Sequence, residues 1–487
     1  MATKPKYSRI AQLKTAEEFQ KYASEAGANL PFDENLTEDS VAVFKEKINL
    51  KSGKTIGNRL CILPMEGWDG TKDGKPTDYT KRRWTNFAKS GAKLLFGCEA
   101  VAVRHDGRAN SRQLVMNEAN FLDFVELFQL LQTTHAAKYG TTDDLVIGLQ
   151  LTHSGRFCKP NDDKKFESKI AYHHPVLDQK FGLNDESPLI TDEEIDALIE
   201  DYVKAAILAQ KAGFQFIDVK HCHGYLGHEF LSAHTREGKY GGSFENRTRY
   251  LRNIVTGINA ACPGLEMGIR FSAFDFLPFK KDANGEGIPD LESLSTSDAG
   301  KVYSHGFGTN KNGSNYDLSE TKLFLELAQS LGIQMICVSG GSPYYNPHLM
   351  RPAIFPPSDG YNPPEEPLIG VARQIAVCEE LKSAFPEMVI IGSAYSYLQE
   401  WLPNVAQNVL RNGKADMVGF GRMVLSYPEM PDDILNNRPM TRKLICRTFS
   451  DCTTAPRNGL ISGCYPLDPH YKVLPEHEIL KELKHNV

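Results

Sequence analysis

Eight short apolar runs, separated by longer amphipathic segments, organise the chain from about residue 58 to residue 425. Each run is nearly continuous in apolar residues, which is typical of parallel strands buried on both faces. The runs are 59–65, 92–101, 145–153, 214–222, 267–274, 334–341, 388–395 and 415–423. Eight alternations of strand and helix predict a (β/α)₈ barrel of the α/β class. A doubly wound sheet is the alternative, and the count of eight favours the barrel.

The segment 190–213 is the clearest helix between two of these strands. Thr191 and Glu194 have the spacing of a capping box, and the apolar residues that follow keep to one face. Gly213 then supplies a typical C-terminal cap. The sequence therefore predicts an amphipathic helix that packs on the outside of the barrel.

Two long insertions interrupt the alternation, each after the C-terminal end of a predicted strand. Residues 277–318 are rich in Gly, Asp, Asn and Ser, and residues 342–367 are rich in Pro and aromatic residues. Barrel enzymes place their active sites at this face, and long loops there often act as lids. The predicted organisation is an N-terminal arm (1–50), the barrel (51–430) and a C-terminal arm packed on it (431–487).

The second insertion contains aromatic residues that could serve either of two roles. They could form a wall for a flat substrate, or they could pack the loop on itself. These residues are Tyr344, Tyr345, Phe355 and Tyr361.

Composition excludes several classes of partner. The formal net charge is −6 and no basic stripe is present, so nucleic acid is not expected as a partner. The longest apolar runs have strand length, which argues against a membrane span. The basic N-terminus lacks the apolar run of a secretory signal. Ten scattered cysteines are typical of reduced thiols in a cytoplasmic protein that acts on a small molecule.

The stretch VKHCHGYLGHEF (219–230) ends the fourth predicted strand and allows two interpretations. A metal site would use His221, Cys222, His223 and His228, but neighbours on a strand point to opposite faces. No CxxC or HExxH cluster supports such a site. Alternatively, His221 and His228 are satisfied by backbone or carboxylate partners, whereas Lys220, His223 and Tyr225 line the barrel mouth. We expect hydrogen-bond donors here and no metal.

Residues 223–251, HGYLGHEFLSAHTREGKYGGSFENRTRYL, resemble the signature of the old yellow enzyme family, the flavin-dependent ene-reductases and their dienoyl-CoA reductase relatives. Further matching segments are NRLCILPM (58–65), GCEAVAVRHDGRANSRQL (97–114), LQLTHSGR (149–156), GIRFS (268–272) and GFGRMVLSYPEM (419–430). The resemblance implies a barrel that binds FMN and reduces an activated C=C bond, such as that of an enone or enoate. NADH or NADPH would be the transient reductant.

The resemblance assigns two groups of residues to FMN. Those expected against the isoalloxazine ring and its pyrimidine edge are Pro64, Met65, Ala100, Gln150 and Arg270. Those expected at the phosphate are Gly392, Ser393, Gly421 and Arg422. A fixed guanidinium stabilises the negative charge of a reduced flavin, and the loops after the last two strands of a barrel commonly bind phosphate.

Three catalytic residues are implied by the same resemblance. Tyr225 matches the family's proton donor. His223 and Lys220 occupy the positions of the pair that donates hydrogen bonds to the substrate carbonyl oxygen, where charge develops during hydride addition.

Two of the implied site residues depart from the family pattern. Lys220 replaces a histidine, and it either binds substrate or pairs with an acid such as Asp218 or Glu66. Glu66 stands where the family usually has a small Thr or Cys near the flavin, and its position implies a contact with the cofactor. We hypothesise that Glu66 and Lys220 form a pair whose titration is shared.

The tail contains Cys446, Cys452 and Cys464. Some relatives carry four cysteines there for an iron–sulfur cluster, and Cys452 and Cys464 keep the spacing of the last two. Three thiolates do not complete a four-thiolate cluster, so no cluster is expected. No G-x-G-x-x-G fingerprint for a second nucleotide-binding domain is present.

Three other functions stay open at this point. Lys220 and Glu66 are compatible with flavin-dependent C–N or C–H oxidation, such as amine demethylation. A flavin-binding protein without turnover of its own is a second alternative. A sugar-cleaving barrel would rest on Glu66 and Glu99 alone. Relatives often form homo-oligomers, while the substrate and the choice between NADH and NADPH are not determined by the sequence.

Overall fold

The structure is a computed structural model and describes residues 6–292 and 303–485. Parts of the predicted arms and of the first insertion fall on 1–5, 293–302 and 486–487, outside the described residues. The strands are β1 Ile48–Asn49, β2 Thr55–Ile56, β3 Leu60–Ile62, β4 Leu94–Leu95, β5 Ala100–Ala102, β6 Val146–Thr152, β7 Phe216–Val219, β8 Glu266–Ser272, β9 Phe279–Lys281, β10 Gly287–Pro289, β11 Met335–Ser339, β12 Val389–Gly392 and β13 Met417–Phe420.

Helices lie between the barrel strands and in both terminal segments. The α-helices are α1 Ala16–Glu25, α2 Glu38–Val41, α3 Asp78–Ala88, α4 Phe121–Tyr139, α5 Pro175–Lys180, α6 Asp192–Ala212, α7 Leu226–Leu231, α8 Phe244–Arg247, α9 Arg249–Ala261, α10 Ser319–Ser330, α11 Pro347–Met350, α12 Pro367–Ala384, α13 Leu402–Arg411, α14 Met423–Ser426, α15 Met430–Leu435, α16 Asp451–Arg457, α17 Pro469–Lys472 and α18 Pro475–His485. Short 3₁₀ turns lie at Ile10–Gln12, Ala42–Lys45, His105–Gly107, Glu118–Asn120, Gly155–Phe157, Tyr395–Trp401 and Arg442–Leu444.

The barrel closes through parallel pairing around a ring. Its order is β3, β4, β6, β7, β8, β11, β12 and β13, and β13 pairs back with β3. This closure confirms the predicted (β/α)₈ barrel and excludes the doubly wound sheet, which would leave two open edges. Helix α6 begins at the predicted capping box of Thr191 and Glu194 and ends at Gly213, whose φ is 110°.

The second predicted strand is divided in two. Strand β4 pairs with the beginning of β6, and β5 pairs with its end, where Ala100 lies opposite Gln150. Between them the chain takes left-handed conformations at Gly97 (φ 93°) and Cys98 (φ 49°). A Cβ on Gly97 would lie 2.8 Å from the Cβ of Gln150, so this close approach requires glycine. The prediction of one continuous strand over 92–101 was therefore wrong.

The barrel interior is filled by its own apolar cluster. Side chains from the barrel strands pack against two residues of the β1–β2 hairpin, Leu50 and Ile56. These two residues fill the end of the barrel at which the strands begin. The residues contributed by the strands, or by the position directly after a strand, are Cys61, Leu63, Leu94, Phe96, Val146, Phe216, Met335, Cys337, Val389, Ile391 and Met417. The hairpin crosses residue 50, where the predicted arm and barrel meet, so the N-terminal arm contributes to the barrel core. The division into three parts stays a prediction.

The N-terminal arm also packs on helix α13. The rings of Phe19 and Phe32 lie 5.5 and 5.9 Å from that of Trp401, and Asp33 forms an ion pair of 2.6 Å with Arg411. None of the helices in the described ranges is both long and apolar enough to cross a membrane.

Several long segments gather at the C-terminal ends of the strands. The first predicted insertion carries the β9–β10 hairpin and the second carries α11. A third long loop, 153–191, follows β6 and contains α5; the sequence pattern did not single it out. The C-terminal segment returns to the same face through α16. Of these four segments, the second insertion and the C-terminal segment contribute residues to the lining of the site.

Candidate active site

A cavity of about 240 Å³ opens at the C-terminal ends of the barrel strands. Most of the predicted site residues line it: Pro64, Met65, Glu66, Gln150, Lys220, His223, Tyr225, Arg270, Ser393, Gly421 and Arg422. Ala100 and Gly392 are not part of the lining. Ala100 lies in β5, where its carbonyl accepts a hydrogen bond from Gln113, and Gly392 precedes Ser393 at the end of β12.

A strained turn at the end of β7 presents three of these residues to the cavity. His223 has a φ of 68°, which is uncommon for a residue other than glycine. Its backbone N–H donates to Ser272 Oγ (3.0 Å) and its carbonyl accepts from Ser342 Oγ (2.8 Å). Neighbouring strands and loops thus hold the turn. Lys220 precedes it and Tyr225 follows it, so all three side chains reach one wall.

The ring of His223 is neutral. Its pKa lies well below the usual value because the ring is buried and because Arg270 and Lys220 repel a positive charge there. Nε2 lies 3.1 Å from Ser339 Oγ. A neutral imidazole retains one N–H donor, which is the property that binding a carbonyl oxygen requires.

The side chains of the neighbouring histidines hydrogen-bond to backbone groups. His221 Nδ1 lies 3.0 Å from the Val219 carbonyl, and His228 Nδ1 accepts the Gly224 N–H at 2.8 Å. Burial lowers the pKa of His221 to about 4 and that of His228 to about 3. Within residues 6–292 and 303–485, no group of three or more His, Cys, Asp or Glu could hold a metal ion.

Tyr225 contacts a carboxylate. Its hydroxyl donates to Glu66 Oε2 and lies 3.0 Å from the Tyr344 hydroxyl. The Lys220 ammonium lies over the Tyr225 ring, 3.7 Å from the centroid. Burial, and then the charge of Glu66, raise the pKa of Tyr225 well above its usual value. The carboxylate that we expected to pair with Lys220 accepts a hydrogen bond from Tyr225, while Lys220 makes a cation–π contact and interacts with Glu66 through charge.

A buried carboxyl group, Asp218, lies behind Gln150 and Arg270. It accepts hydrogen bonds from the Arg270 backbone N–H (2.7 Å) and from Gln150 Nε2. Burial raises the pKa of Asp218 to about 7. The Arg270 side chain donates to the Pro64 carbonyl (3.0 Å), and its Nε is buried without a partner among the described residues.

The opposite end of the cavity is suited to an anion. The Ser393 hydroxyl is turned to the Val338 carbonyl (2.6 Å). A Cβ on Gly421 would meet no atom within 4 Å, so the backbone is open to a ligand there. Arg422 donates to the Pro352 carbonyl (3.0 Å), and its Nη1 is buried without a partner in the part of the chain that the structure describes.

These residues fit FMN. Leu63 and Met65 offer apolar surface, and Gln150 offers a polar group for the pyrimidine edge. Arg270 and Arg422 supply guanidinium N–H groups at the two ends, where a flavin and its phosphate carry negative charge.

Two arginines in the cavity lining were missed by sequence reasoning. Arg351, from the loop after β11, donates to the Thr453 hydroxyl. Burial and the nearby charges of Arg457 and Arg422 lower the pKa of Arg351 to about 9. Arg457, from α16, pairs with Asp359 at 2.5 Å. No motif marks either residue, and only the position of Arg351 within the Pro-rich insertion could have suggested it.

One residue of the expected aromatic wall lines the cavity. Tyr344 does so and stacks on Phe157, with ring centroids 4.0 Å apart. Tyr345 donates to Asp275 (2.6 Å), and the Tyr361 hydroxyl lies 2.8 Å from His348 Nδ1. These two, like Phe355 against Phe449, pack within and between the loops.

Glu99 does not join Glu66 in the cavity. It is buried, pairs with Arg83 at 2.5 Å, and accepts from Gly67 N (3.1 Å) and Trp84 Nε1 (3.2 Å). The carboxylate pair that a sugar-cleaving barrel would need is therefore not formed by these residues.

The three tail cysteines share a small space beside Arg422. Cys446 and Cys464 are buried and Cys452 is partly exposed. Cys452 also contributes to the main cavity. The expected absence of a cluster stays a prediction.

A barrel mouth with apolar surface, a fixed guanidinium and an open anion site is suited to a flavin cofactor with its phosphate. The sequence model of the NADH:flavin oxidoreductase / NADH oxidase family matches residues 43–289. The chain belongs to this family, to which the old yellow enzymes also belong, and is an FMN-dependent NAD(P)H oxidoreductase.

Individual relatives agree with this assignment. The chain is 27% identical to the NADPH dehydrogenase of Geobacillus sp. (strain WCH70) over 382 residues, which cover 78% of this chain and 90% of the relative. It resembles the structure of the old yellow enzyme homologue from Zymomonas mobilis (TM-score 0.55, 19% identity, 83% of this chain and 96% of that one). It also resembles a 2-naphthoyl-CoA reductase complex (TM-score 0.62, 16% identity), and the match covers 90% of this chain and 58% of that one.

Proposed function

We propose that the protein reduces an activated C=C bond, such as that of an enone or enoate, with NADH or NADPH as the reductant. The observation that carries the proposal is the convergence of Lys220, His223 and Tyr225 on one wall of the cavity, beside Arg270. When bound, FMN supplies the hydride that such a reaction needs.

Tyr225 is the proton donor in this proposal. A phenol is protonated at neutral pH, and burial raises the pKa of Tyr225 further, so a proton is present for transfer to the substrate α-carbon. Lys220, over the ring, stabilises the negative charge that the phenol oxygen gains as the proton leaves.

His223 and Lys220 bind the carbonyl oxygen of the substrate. A neutral imidazole donates one hydrogen bond, and the ammonium adds a positive charge. Both interactions strengthen as the oxygen gains charge, so they act mainly in the transition state.

Two groups hold the cofactor. Gln150 and Arg270 would bind the pyrimidine side of the ring, and the open backbone at Gly421 with Arg422 would bind the phosphate. Arg270 is itself fixed by the Pro64 carbonyl, so the guanidinium needs little reorganisation.

The charge of the cavity disfavours amine oxidation. One carboxylate, Glu66, faces several cations, and an alkylammonium would be repelled by them. The cations in the lining are Lys220, Arg270, Arg351, Arg422 and Arg457. A neutral or anionic unsaturated substrate suits this field better.

Two broader properties are also proposals. A cytoplasmic location is supported by the cysteines, all ten of which are free thiols. The proposal that the protein forms a homo-oligomer rests on the family resemblance.

An anaerobic half-reaction assay tests the proposed function. The FMN-loaded enzyme is reduced with NADPH or NADH and mixed with 2-cyclohexenone, while flavin absorbance is followed and the saturated ketone is quantified. We expect Tyr225→Phe to slow enone-dependent flavin reoxidation by about 10²-fold or more, because it lacks the proton donor. Flavin reduction by the nicotinamide should be retained.

Tyr361→Phe is the matched control, since its hydroxyl bonds His348 outside the cavity. It should keep the wild-type reoxidation rate. An unaltered rate in Tyr225→Phe would remove Tyr225 as the donor. A reduced wild-type enzyme that converts no unsaturated carbonyl compound would refute the function itself.

A further inference from the structure

We infer that Arg351 determines substrate specificity by binding a carboxylate on the substrate, so that the protein acts on an unsaturated carbonyl compound that also carries a carboxylate group. The inference rests on the proposed function and deepens it, because it names the substrate class of the same cavity. In this arrangement His223 and Lys220 bind the carbonyl oxygen, and Arg351 binds the carboxylate at the other end of the substrate.

The guanidinium of Arg351 has unused hydrogen-bonding capacity at the cavity. Its Nη1 donates to the Thr453 hydroxyl, and its Nη2 is buried without a partner in the part of the chain that the structure describes. Leaving a buried N–H group without an acceptor is costly, and a guanidinium donates two parallel hydrogen bonds to a carboxylate. A carboxylate ligand would satisfy both the charge and the free N–H group of Arg351.

Two other cations of the lining have counter-charges within the protein. Lys220 interacts with Glu66 through charge. Asp359, whose charge also acts on Arg351, is engaged by Arg457 at 2.5 Å. The acidic residues around the cavity are therefore used by these two cations, and Arg351 forms no ion pair within residues 6–292 and 303–485.

The remaining two cations serve the cofactor in the proposed function. Arg270 would face the pyrimidine side of the ring, and Arg422 with the open backbone at Gly421 would hold the phosphate. Arg351 reaches the cavity from a different loop, the one after β11. Once the flavin and its phosphate are assigned to Arg270 and Arg422, the positive charge of Arg351 is left for the substrate.

Arg351 acts on the same space as the residues that would bind the carbonyl oxygen. It lines the cavity of about 240 Å³ together with His223 and Lys220. Burial, Arg270 and Lys220 lower the pKa of His223 most, and the charge of Arg351 adds to them. The field of Arg351 thus reaches the ring of His223, so one small molecule in this cavity would lie within reach of both.

The loop that carries Arg351 also supplies apolar surface. Pro343, Tyr344 and Met350 of this loop line the cavity. The Tyr344 hydroxyl lies 3.0 Å from that of Tyr225, the proposed proton donor, so this surface leads from the proton donor toward the guanidinium. It suits the carbon skeleton of a substrate that has a carbonyl group at one end and a carboxylate at the other.

Paired acid and ester substrates test the inference. The reduced, FMN-loaded enzyme is mixed anaerobically at neutral pH with trans-4-oxo-2-pentenoate or with its methyl ester, and the second-order rate constant of flavin reoxidation is measured. A second pair with a longer spacer is 3-(3-oxocyclohex-1-enyl)propanoate and its methyl ester. Within each pair the enone is shared and only the acid is charged. Because ester and acid differ in intrinsic reactivity, the readout is the change in the acid-to-ester ratio between wild type and variant.

Arg351→Gln should lower this ratio about tenfold or more for at least one pair, because a charge-assisted hydrogen bond to the acid is lost while the ester is little affected. Arg351→Lys should retain part of the ratio, since it keeps the charge but not the planar fork. Arg351→Met is a second neutral variant if Arg351→Gln does not fold. Arg373→Gln is the matched control: Arg373 binds Glu365 at 2.8 and 2.6 Å outside the cavity lining, and this variant should keep the wild-type ratio.

A wild-type ratio for both pairs in the neutral Arg351 variants would overturn the inference. FMN affinity, measured by flavin fluorescence, separates the other role that a cation can have here: weaker FMN binding with an unchanged ratio would assign Arg351 to the cofactor phosphate. A wild-type enzyme that reduces 2-cyclohexenone but neither acid would also contradict a carboxylate site. Failure to reduce any unsaturated carbonyl compound would instead overturn the proposed function.

Discussion

At the residue scale, Asp218 couples the site to pH. Its carboxyl group is buried, and its pKa of about 7 exceeds the ordinary value of 3.8. The folded protein therefore holds this proton over an interval in which the unfolded chain has released it. For a carboxyl group with a raised pKa, the contribution to stability is greatest below about pH 4 and declines as the pH rises toward 7.

Asp218→Asn should remove this contribution to the pH dependence. Between about pH 4 and 7, the free energy of unfolding of the wild type should fall relative to that of the variant by up to about 1.4 kcal/mol per pH unit. Urea unfolding at a series of pH values measures the difference. Asn can keep the bond from the Arg270 N–H, and Gln150 can turn its oxygen to the new amide.

Asp33→Asn is the comparison for this experiment. Asp33 pairs with Arg411, and hydrogen bonds from Arg411, Gln407 and Asn408 lower its pKa despite the cost of burial. The contribution of ionised Asp33 to the free energy of unfolding is complete once the pH exceeds the ordinary carboxyl pKa. Asp33→Asn should therefore lower the free energy of unfolding by the same amount at every pH from about 5 to 7. Parallel curves for wild type and Asp218→Asn would contradict the role assigned to Asp218.

At the element scale, the break in the second strand positions Gln150 for the proposed contact with the cofactor. Gly97 lets the chain approach the backbone of Gln150, and its carbonyl accepts the Gln150 N–H at 3.1 Å. Gln150 is thereby held at the end of β6 with its side chain on Asp218. The same irregularity that divides the predicted strand fixes Gln150, a residue of the proposed flavin site.

Gly97→Ala should weaken FMN binding and lower stability. The new Cβ would lie 2.8 Å from Gln150 Cβ and 2.9 Å from Gln150 N, and the left-handed φ adds backbone strain. We expect a loss of about 2–4 kcal/mol in stability and a clear rise in the FMN dissociation constant, measured by unfolding and by flavin fluorescence.

Gly140→Ala separates the effect of the backbone strain from the effect of the contact with Gln150. Gly140 has a similar φ of 82°, but its Cβ would meet nothing within 4 Å. It should cost about 1 kcal/mol and leave FMN affinity unaltered. Equal effects of the two variants on FMN affinity would show that the contact with Gln150 does not matter.

At the scale of the whole molecule, the C-terminal segment completes the cavity. Cys452, Thr453, Pro456 and Arg457 of α16 form part of the lining, far from the barrel strands in sequence. Arg82 of α3 binds Asp468 through two hydrogen bonds and ties this segment to the barrel. Cofactor binding and the docking of the segment should therefore depend on each other.

Arg82→Gln should loosen this docking. We expect faster hydrogen exchange over residues 446–472 and a several-fold weaker affinity for FMN, because a partly buried bidentate ion pair is lost. Lys81→Gln is the control, since Lys81 pairs with Glu126 on the surface (2.7 Å), where such pairs contribute little. Unchanged exchange in Arg82→Gln would contradict the coupling.

The barrel, and the position of the stretch 219–230 at its mouth, could be predicted from the sequence alone. Apolar runs and helix caps are local patterns, and the burial of both faces of a parallel strand imposes them directly. The stretch 219–230 placed Lys220, His223 and Tyr225 at one strand end, and the structure brings them to one wall of the cavity.

The contacts across the cavity could not be predicted from the sequence and depend on how the chain folds back on itself. Glu66 and Tyr225 are separated by 159 positions, and Arg351 and Thr453 by 102. Such contacts depend on left-handed turns, as at Gly97 and His223, and on how long loops and the C-terminal segment fold back over the barrel. A displacement of a few ångströms makes or breaks a hydrogen bond, and no local pattern of residues encodes it.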